Sequence, residues 1–185
     1  SKGNAVEPFT VLEKYGADAT RFYMLYASPV WTPLKFDEDG IKEVQSKFFN
    51  TLKNTYTFFE MYANTDKVDP REFEVDYEEL EEIDKWLLSK YNKLVKYMTN
   101  AMDEYDLNKA VRLVNNFVNE ELSNWYIRRN RRRFWGSDLD ISKKAVYKTT
   151  YQVLEGICRL IAPIVPFVSD EIYTDLTGEE SVHLA

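Results

Sequence analysis

The chain has 185 residues, 44% apolar and 30% charged, with 31 acidic against 24 basic side chains and a formal net charge of −7. A lone cysteine, Cys158, and a lone histidine, His183, exclude an internal disulfide and a multi-cysteine zinc site. They leave almost nothing for Ser-His-Asp, Cys-His or HExxH chemistry, so a self-contained hydrolase or metalloenzyme is not expected.

In chain order, Pro8 opens a short helix through Tyr15, and Gly16 interrupts it. Residues 17–27 read as a second helix, stopped by Ser28-Pro29 because the residue before proline leaves the α region. Residues 31–36 read as extended. After the acidic start at Asp37-Glu38-Asp39, Ile41, Val44, Phe48, Leu52 and Phe59 recur at helical spacing, down to Ala63-Asn64. Residues 65–77 read as a loop. A second long helix carries Leu80, Ile83, Leu87, Tyr91, Leu94, Met98 and Met102 on one face, with a break at Asp106. The third carries Leu107, Val111, Val114, Val118, Leu122 and Trp125, and runs to Trp135-Gly136. That stripe predicts a core position for Trp125. The fourth starts near Ser142 with Tyr147, Tyr151, Leu154, Cys158 and Ile161; Pro163 breaks it, and Pro166 starts a last short helix through Leu176. Long amphipathic helices on short loops predict an antiparallel bundle, mainly α, with a small mixed α/β segment before it.

No run of about 18 apolar residues is present, so no transmembrane helix is expected. Ser1-Lys2-Gly3-Asn4 lacks a signal-peptide layout, which predicts a cytoplasmic location. Glu180-Ser-Val-His183 has the Glu-x-x-His spacing of carboxylate-bridged metal bundles, but such sites need two copies, so no metal site is expected. The nine carboxylates between Asp69 and Asp84 read as solvated loop and helix starts.

Charge is uneven, however. Arg128, Arg129, Arg131, Arg132 and Arg133 fall within six residues, interleaved with Trp125, Tyr126, Phe134 and Trp135. Guanidinium forks grip phosphate and stack on bases, and aromatics add stacking surfaces. Six helical residues span more than one turn, so these arginines cannot share one ligand, and some must be structural. Asn50 and Asn54 share a helix face, and Asn115, Asn116 and Asn119 flank the stripe of the third helix; amides offer both a donor and an acceptor to base edges.

Several blocks resemble the class I aminoacyl-tRNA synthetases. They are Ser1-Lys-Gly-Asn4, Tyr15-Gly-Ala-Asp-Ala-Thr-Arg-Phe22, Phe48-Phe-Asn-Thr-Leu-Lys-Asn54, Leu122-Ser-Asn-Trp-Tyr-Ile-Arg128, Ala162-Pro-Ile-Val-Pro-Phe167 and Ser181-Val-His-Leu184. The arginine block and Ser-Val-His-Leu resemble the isoleucyl members in particular; the same domain of a valyl or leucyl enzyme, or a helical protein-interaction bundle, is the alternative. The resemblance implies that Ser1 is the last residue of the KMSKS loop and that no catalytic residue lies in this chain. It implies a connecting segment over 1–36 and a helical anticodon-binding domain over 37–185. It further implies a monomeric partner of the tRNA(Ile) anticodon stem-loop. ATP and magnesium would serve the whole enzyme, and no cofactor this chain. Carried over by position, Asn50, Asn54 and Phe58 become tRNA-binding candidates on the first long helix. Arg128, Arg129, Arg131 and Arg132 become backbone or stem contacts on the third.

Overall fold

Asp37 begins the first long helix by accepting the Asp39 N–H at 3.0 Å, with Glu38 and Asp39 at the positive end of the helix dipole. The computed structural model describes residues 8–27 and 37–184, with side-chain surroundings from residue 16 onward. The extended element expected at 31–36, and Ser1, lie outside the described residues.

Helix α1, Pro8–Ala27, is two helices joined across a kink at Gly16, whose φ of 78° is one that glycine adopts without strain. Helix α2, Glu38–Val44, passes through a π-helical turn, Gln45–Phe49, into α3, Asn50–Asp66. Two 3₁₀ turns, Pro70–Glu72 and Tyr77–Glu79, punctuate the loop that follows. Helix α4, Glu82–Asp103, starts with a reciprocal cap between Glu81 and Asp84. Helix α5, Leu107–Asn116, is capped by Asp106 and continues through a π-helical stretch, Phe117–Ile127, into α6, Arg128–Trp135. Helices α7, Ile141–Ile161, and α8, Pro166–Thr177, complete the antiparallel bundle, and Gly178 ends α8 in the left-handed region. All the long helices expected from periodicity form, and no strand occurs among the described residues.

The stripes bury Leu52, Leu87, Met98, Val111, Leu122, Leu154 and Ile157 completely. Phe134 and Tyr147 meet edge to face at 5.2 Å, and Phe58 meets Phe134 at 5.1 Å. On α7, Gly156 lets Tyr91 of α4 approach closely, because a Cβ there would overlap the tyrosine ring.

One core assignment is corrected. Trp125 is 45% exposed, whereas its neighbour Tyr126 is fully buried. The π-helical stretch bonds each residue to the fifth one along, so its turns hold more residues than α turns. The buried stripe therefore passes from Leu122 to Tyr126 and Ile127, and Trp125 rotates outward.

Candidate nucleic-acid interface

The arginine cluster is oriented from below by its last member. Arg133 donates from Nη1 and Nη2 to the two carboxylate oxygens of Asp84, at 2.6 and 2.8 Å. Its Nε donates to Ser142 Oγ at 3.0 Å, and Nη2 also reaches the Ser142 carbonyl at 2.7 Å. The Tyr126 hydroxyl donates to Asp84 at 2.6 Å, so this fully buried carboxylate is saturated. Burial pulls the Arg133 pKa down, but the hydrogen bonds it donates to Asp84 and the charge of that carboxylate outweigh it and hold the guanidinium above its usual value. Burial, reinforced by the Asp84 charge, holds the Tyr126 phenol well above the ordinary tyrosine range. Beside this network, Lys143 pairs with Asp66 at 2.7 Å, and the Tyr147 hydroxyl donates to the same carboxylate. The ends of α3, α4, α6 and α7 are thereby tied together. Asp84 corrects the expectation that all nine carboxylates of 69–84 are solvated: it is the partner that makes Arg133 structural.

With Arg133 committed inward, its neighbours point out. Arg128, Arg129, Arg131 and Arg132 are exposed, and none makes an ion pair among the described residues. Arg128 and Arg131 line a groove of about 610 Å³ together with Asn115, Asn116 and Asn119. Across it stand Lys47 and Thr51 from the first long helix, and Tyr26 from the end of α1. That end is held by α5. Asn108 Nδ2 donates to the carbonyls of Leu25 and Tyr26, at 2.9 and 3.0 Å. Arg112 donates to the Tyr26 carbonyl at 2.8 Å and lies over its ring at 4.5 Å. These bonds satisfy helix-end carbonyls that would otherwise lack partners. Within the groove, Asn119 Nδ2 donates to the Asn115 carbonyl and side-chain oxygen, which fixes its amide orientation.

The sequence candidates divide. Arg128 and Arg131 meet in the groove, with the Asn115–Asn116–Asn119 group beside them. Asn54 is exposed three residues beyond Thr51, at the groove's lip by helical spacing. Asn50 lines a separate hollow of about 430 Å³ with Lys53, Phe49 and Phe167. Phe58 is half-buried against Tyr62 and Phe134, and so serves the bundle's packing. Arg129 lies over the Trp125 ring at 3.5 Å. Sequence reading missed Lys47, Thr51, Tyr26 and Asn124 as groove residues. Lys47 and Thr51 share the helix face of Asn54, which is the signal that could have found them.

The lining also includes the carboxylate of Glu120, and Lys47 is paired with Glu43 at 2.6 Å, so it is Arg128 and Arg131 that can hold a polyanion here, while the amides offer both donors and acceptors to bases. Among the described residues, no group of three or more His, Cys, Asp or Glu side chains is placed to hold a metal ion. No described helix is long and apolar enough to cross a membrane.

Residues 84–185 match the model of the family described as the anticodon-binding domain of tRNA ligase. The chain is 50% identical to isoleucine–tRNA ligase of Bacteroides thetaiotaomicron, over 98% of this chain and 16% of that protein. It is 47% identical to that of Porphyromonas gingivalis, over 99% and 16%, and 46% identical to that of Clostridium novyi, over 100% and 18%. It thus spans about a sixth of the length of these relatives. Its fold matches apo methionyl-tRNA synthetase of Mycobacterium tuberculosis, with a TM-score of 0.75 at 16% identity, over 90% of this chain and 34% of that one. It also matches the LeuRS of an Agrobacterium radiobacter K84 LeuRS–tRNA–LeuAMS complex, with a TM-score of 0.70 at 19% identity, over 98% and 21%. A helical bundle with an arginine-edged, amide-lined groove, matched over more than half its length by that model, belongs to the anticodon-binding domains of tRNA ligases.

Proposed function

We propose that this chain binds the anticodon stem-loop of tRNA(Ile) as the anticodon-reading part of a cytoplasmic isoleucine–tRNA ligase, one copy to one RNA. The observation that carries the reading is the convergence of Arg128 and Arg131, without ion pairs among the described residues, on a groove lined by three asparagines. On a chain of net charge −7, unneutralised arginines on one face give a polyanion a local foothold. Arg128, Arg129, Arg131 and Arg132 position the RNA. Asn119 and its neighbours face the splayed bases, and Asn54 meets them at the lip. Asn50 meets the strand from the adjoining hollow, and Phe58 acts from behind by seating α3 on Phe134. Such a division, backbone contacts for register and base contacts for identity, is how loops of RNA are read.

Identity of 43–50% to isoleucine–tRNA ligases, against 19% to the LeuRS chain, supports isoleucine over leucine. ATP and magnesium serve amino-acid activation in the parent enzyme. The RNA-binding reading routes no step through them. The 185-residue chain alone is expected to show no isoleucine-dependent ATP–pyrophosphate exchange. The test is a titration of this chain with the tRNA(Ile) anticodon stem-loop, an anticodon-swapped stem-loop and an acidic peptide. Preference for the cognate RNA is expected. Equal binding of both RNAs would remove anticodon reading, and preference for the peptide would make the bundle a protein-interaction module.

A further inference from the structure

We propose that Arg129, seated over the Trp125 ring, is a preassembled platform on which one unpaired nucleobase of the bound RNA stacks, beside the amide-lined groove. The inference rests on the RNA-binding reading above and gives Arg129 a role different from that of its neighbours.

The Arg129 guanidinium carbon lies 3.5 Å from the centroid of the Trp125 ring. The indole is supported in turn by Trp86 of α4, with ring centroids 6.1 Å apart. Trp86 meets the indole at a tilt of 47°, so it braces Trp125 without stacking on it, and the Arg129 end is exposed and makes no ion pair among the described residues. The guanidinium carbon is seated over the indole, and the side chain remains exposed to solvent. A guanidinium is planar and weakly hydrated, so it accepts a second flat π-system, while its edge N–H groups keep hydrogen-bonding capacity. Because the indole already holds the side chain, little rotamer freedom remains to be lost on binding.

Position ties the platform to RNA. Arg129 and Trp125 line a hollow of about 460 Å³ with Asn124 and Arg128, and the last two also line the main groove. A strand whose phosphates meet Arg128 therefore passes both sites, and a base that does not enter the groove reaches the platform. The π-helical stretch exposes Trp125 in the first place. Such stretches are uncommon and concentrate at functional sites. The rim is cationic and amide-bearing and contains no carboxylate, which fits a nucleotide and not a basic peptide.

The test uses the 185-residue chain and a set of anticodon stem-loop RNAs, each with one loop nucleotide made abasic. Arg129→Lys keeps the charge and removes the plane; Arg21→Lys, at an exposed arginine of α1 that lines neither the groove nor the hollow, is the matched control. Arg129→Lys is expected to weaken binding about ten-fold with an unchanged salt slope, and Arg21→Lys by less than about two-fold. One abasic position is expected to cost the wild-type chain a similar factor and to cost Arg129→Lys nothing further. Trp125→Leu, checked for helicity by circular dichroism, should behave like Arg129→Lys; if it unfolds, the lysine variant decides alone. Arg129→Lys binding every RNA like wild type, or losing affinity equally at every abasic position, overturns the platform. Failure of the wild-type chain to bind any RNA overturns the RNA-binding reading with it, whereas RNA binding indifferent to Arg129→Lys overturns the platform only.

Discussion

Arg133 reaches from α6 to α4 and holds both oxygens of the buried Asp84 carboxylate, at 2.6 and 2.8 Å. The pair divides a run of five arginines into one that builds the fold and four that face solvent. It also sets the rotation of α6 against the bundle, and hence the direction in which Arg128 and Arg131 look.

Replacing Arg133 with Ala leaves the Asp84 carboxylate buried without its counter-charge. The expected loss is about 3–5 kcal/mol of stability, read as a shift of the urea midpoint. Asp84→Ala with Arg133→Met is expected to recover part of that loss, because no lone charge remains. A double variant as unstable as Arg133→Ala would contradict this account.

Arg131→Ala combined with Arg132→Ala has the opposite signature. Both side chains are exposed and make no ion pair among the described residues, so stability should change by less than about 0.5 kcal/mol. Affinity should fall for cognate and swapped stem-loops alike, and the log–log salt slope should flatten by about 2. An unchanged salt slope would make these arginines bystanders.

Asn119→Ala is expected to narrow the discrimination between cognate and anticodon-swapped RNA by about 1–3 kcal/mol, because its amide is held in one orientation by Asn115. Asn54→Ala, at the lip, should narrow it in the same direction but less. Paired titrations of both variants provide the check, and intact discrimination in Asn119→Ala would empty the groove of base contacts.

Asp170 gives a pH-dependent contact. The Val182 N–H and the Ser181 hydroxyl both donate to its Oδ1, each at 2.9 Å. These two bonds, the Val182 N–H first, hold its pKa below the ordinary 3.8. A folded-state value below the unfolded one stabilises fully above pH 3.8, and the contribution disappears as pH falls through the folded value. The 3₁₀ turn Val182–Leu184 should therefore loosen only below that pH. Following the Val182 amide resonance against pH tests this; a midpoint above 4 would be inconsistent with it.

Gly156→Ala should destabilise by about 1–3 kcal/mol, since the added methyl overlaps the Tyr91 ring and the α4–α7 approach must widen. Pairing it with Tyr91→Ala, which vacates the space, should cost less than the two single losses summed. Strict additivity in thermal unfolding would argue against a direct clash.

The amino-acid sequence by itself determined the helices, because apolar spacing, caps and prolines act over a few residues and need no partner. Leu87, Leu94 and Met98 lie inside where their stripe puts them, and Gly16 kinks α1 where it interrupts the pattern. The arginine run and its aromatic neighbours were legible as a polyanion-facing feature for the same local reason. Which arginine turns inward was decided only by tertiary structure. Asp84 lies 49 residues from Arg133 and sits in an acidic run whose other members reach solvent, so nothing nearby in the chain distinguishes it. The exchange of Trp125 for Tyr126 in the core has a related origin. A π-helical stretch shifts the phase of every residue after it, and that wider winding is stabilised by packing across helices and leaves no mark on the apolar period. The groove likewise required three separate segments, around Tyr26, Lys47–Thr51 and Asn115–Arg131, to be brought to one place by the bundle's core.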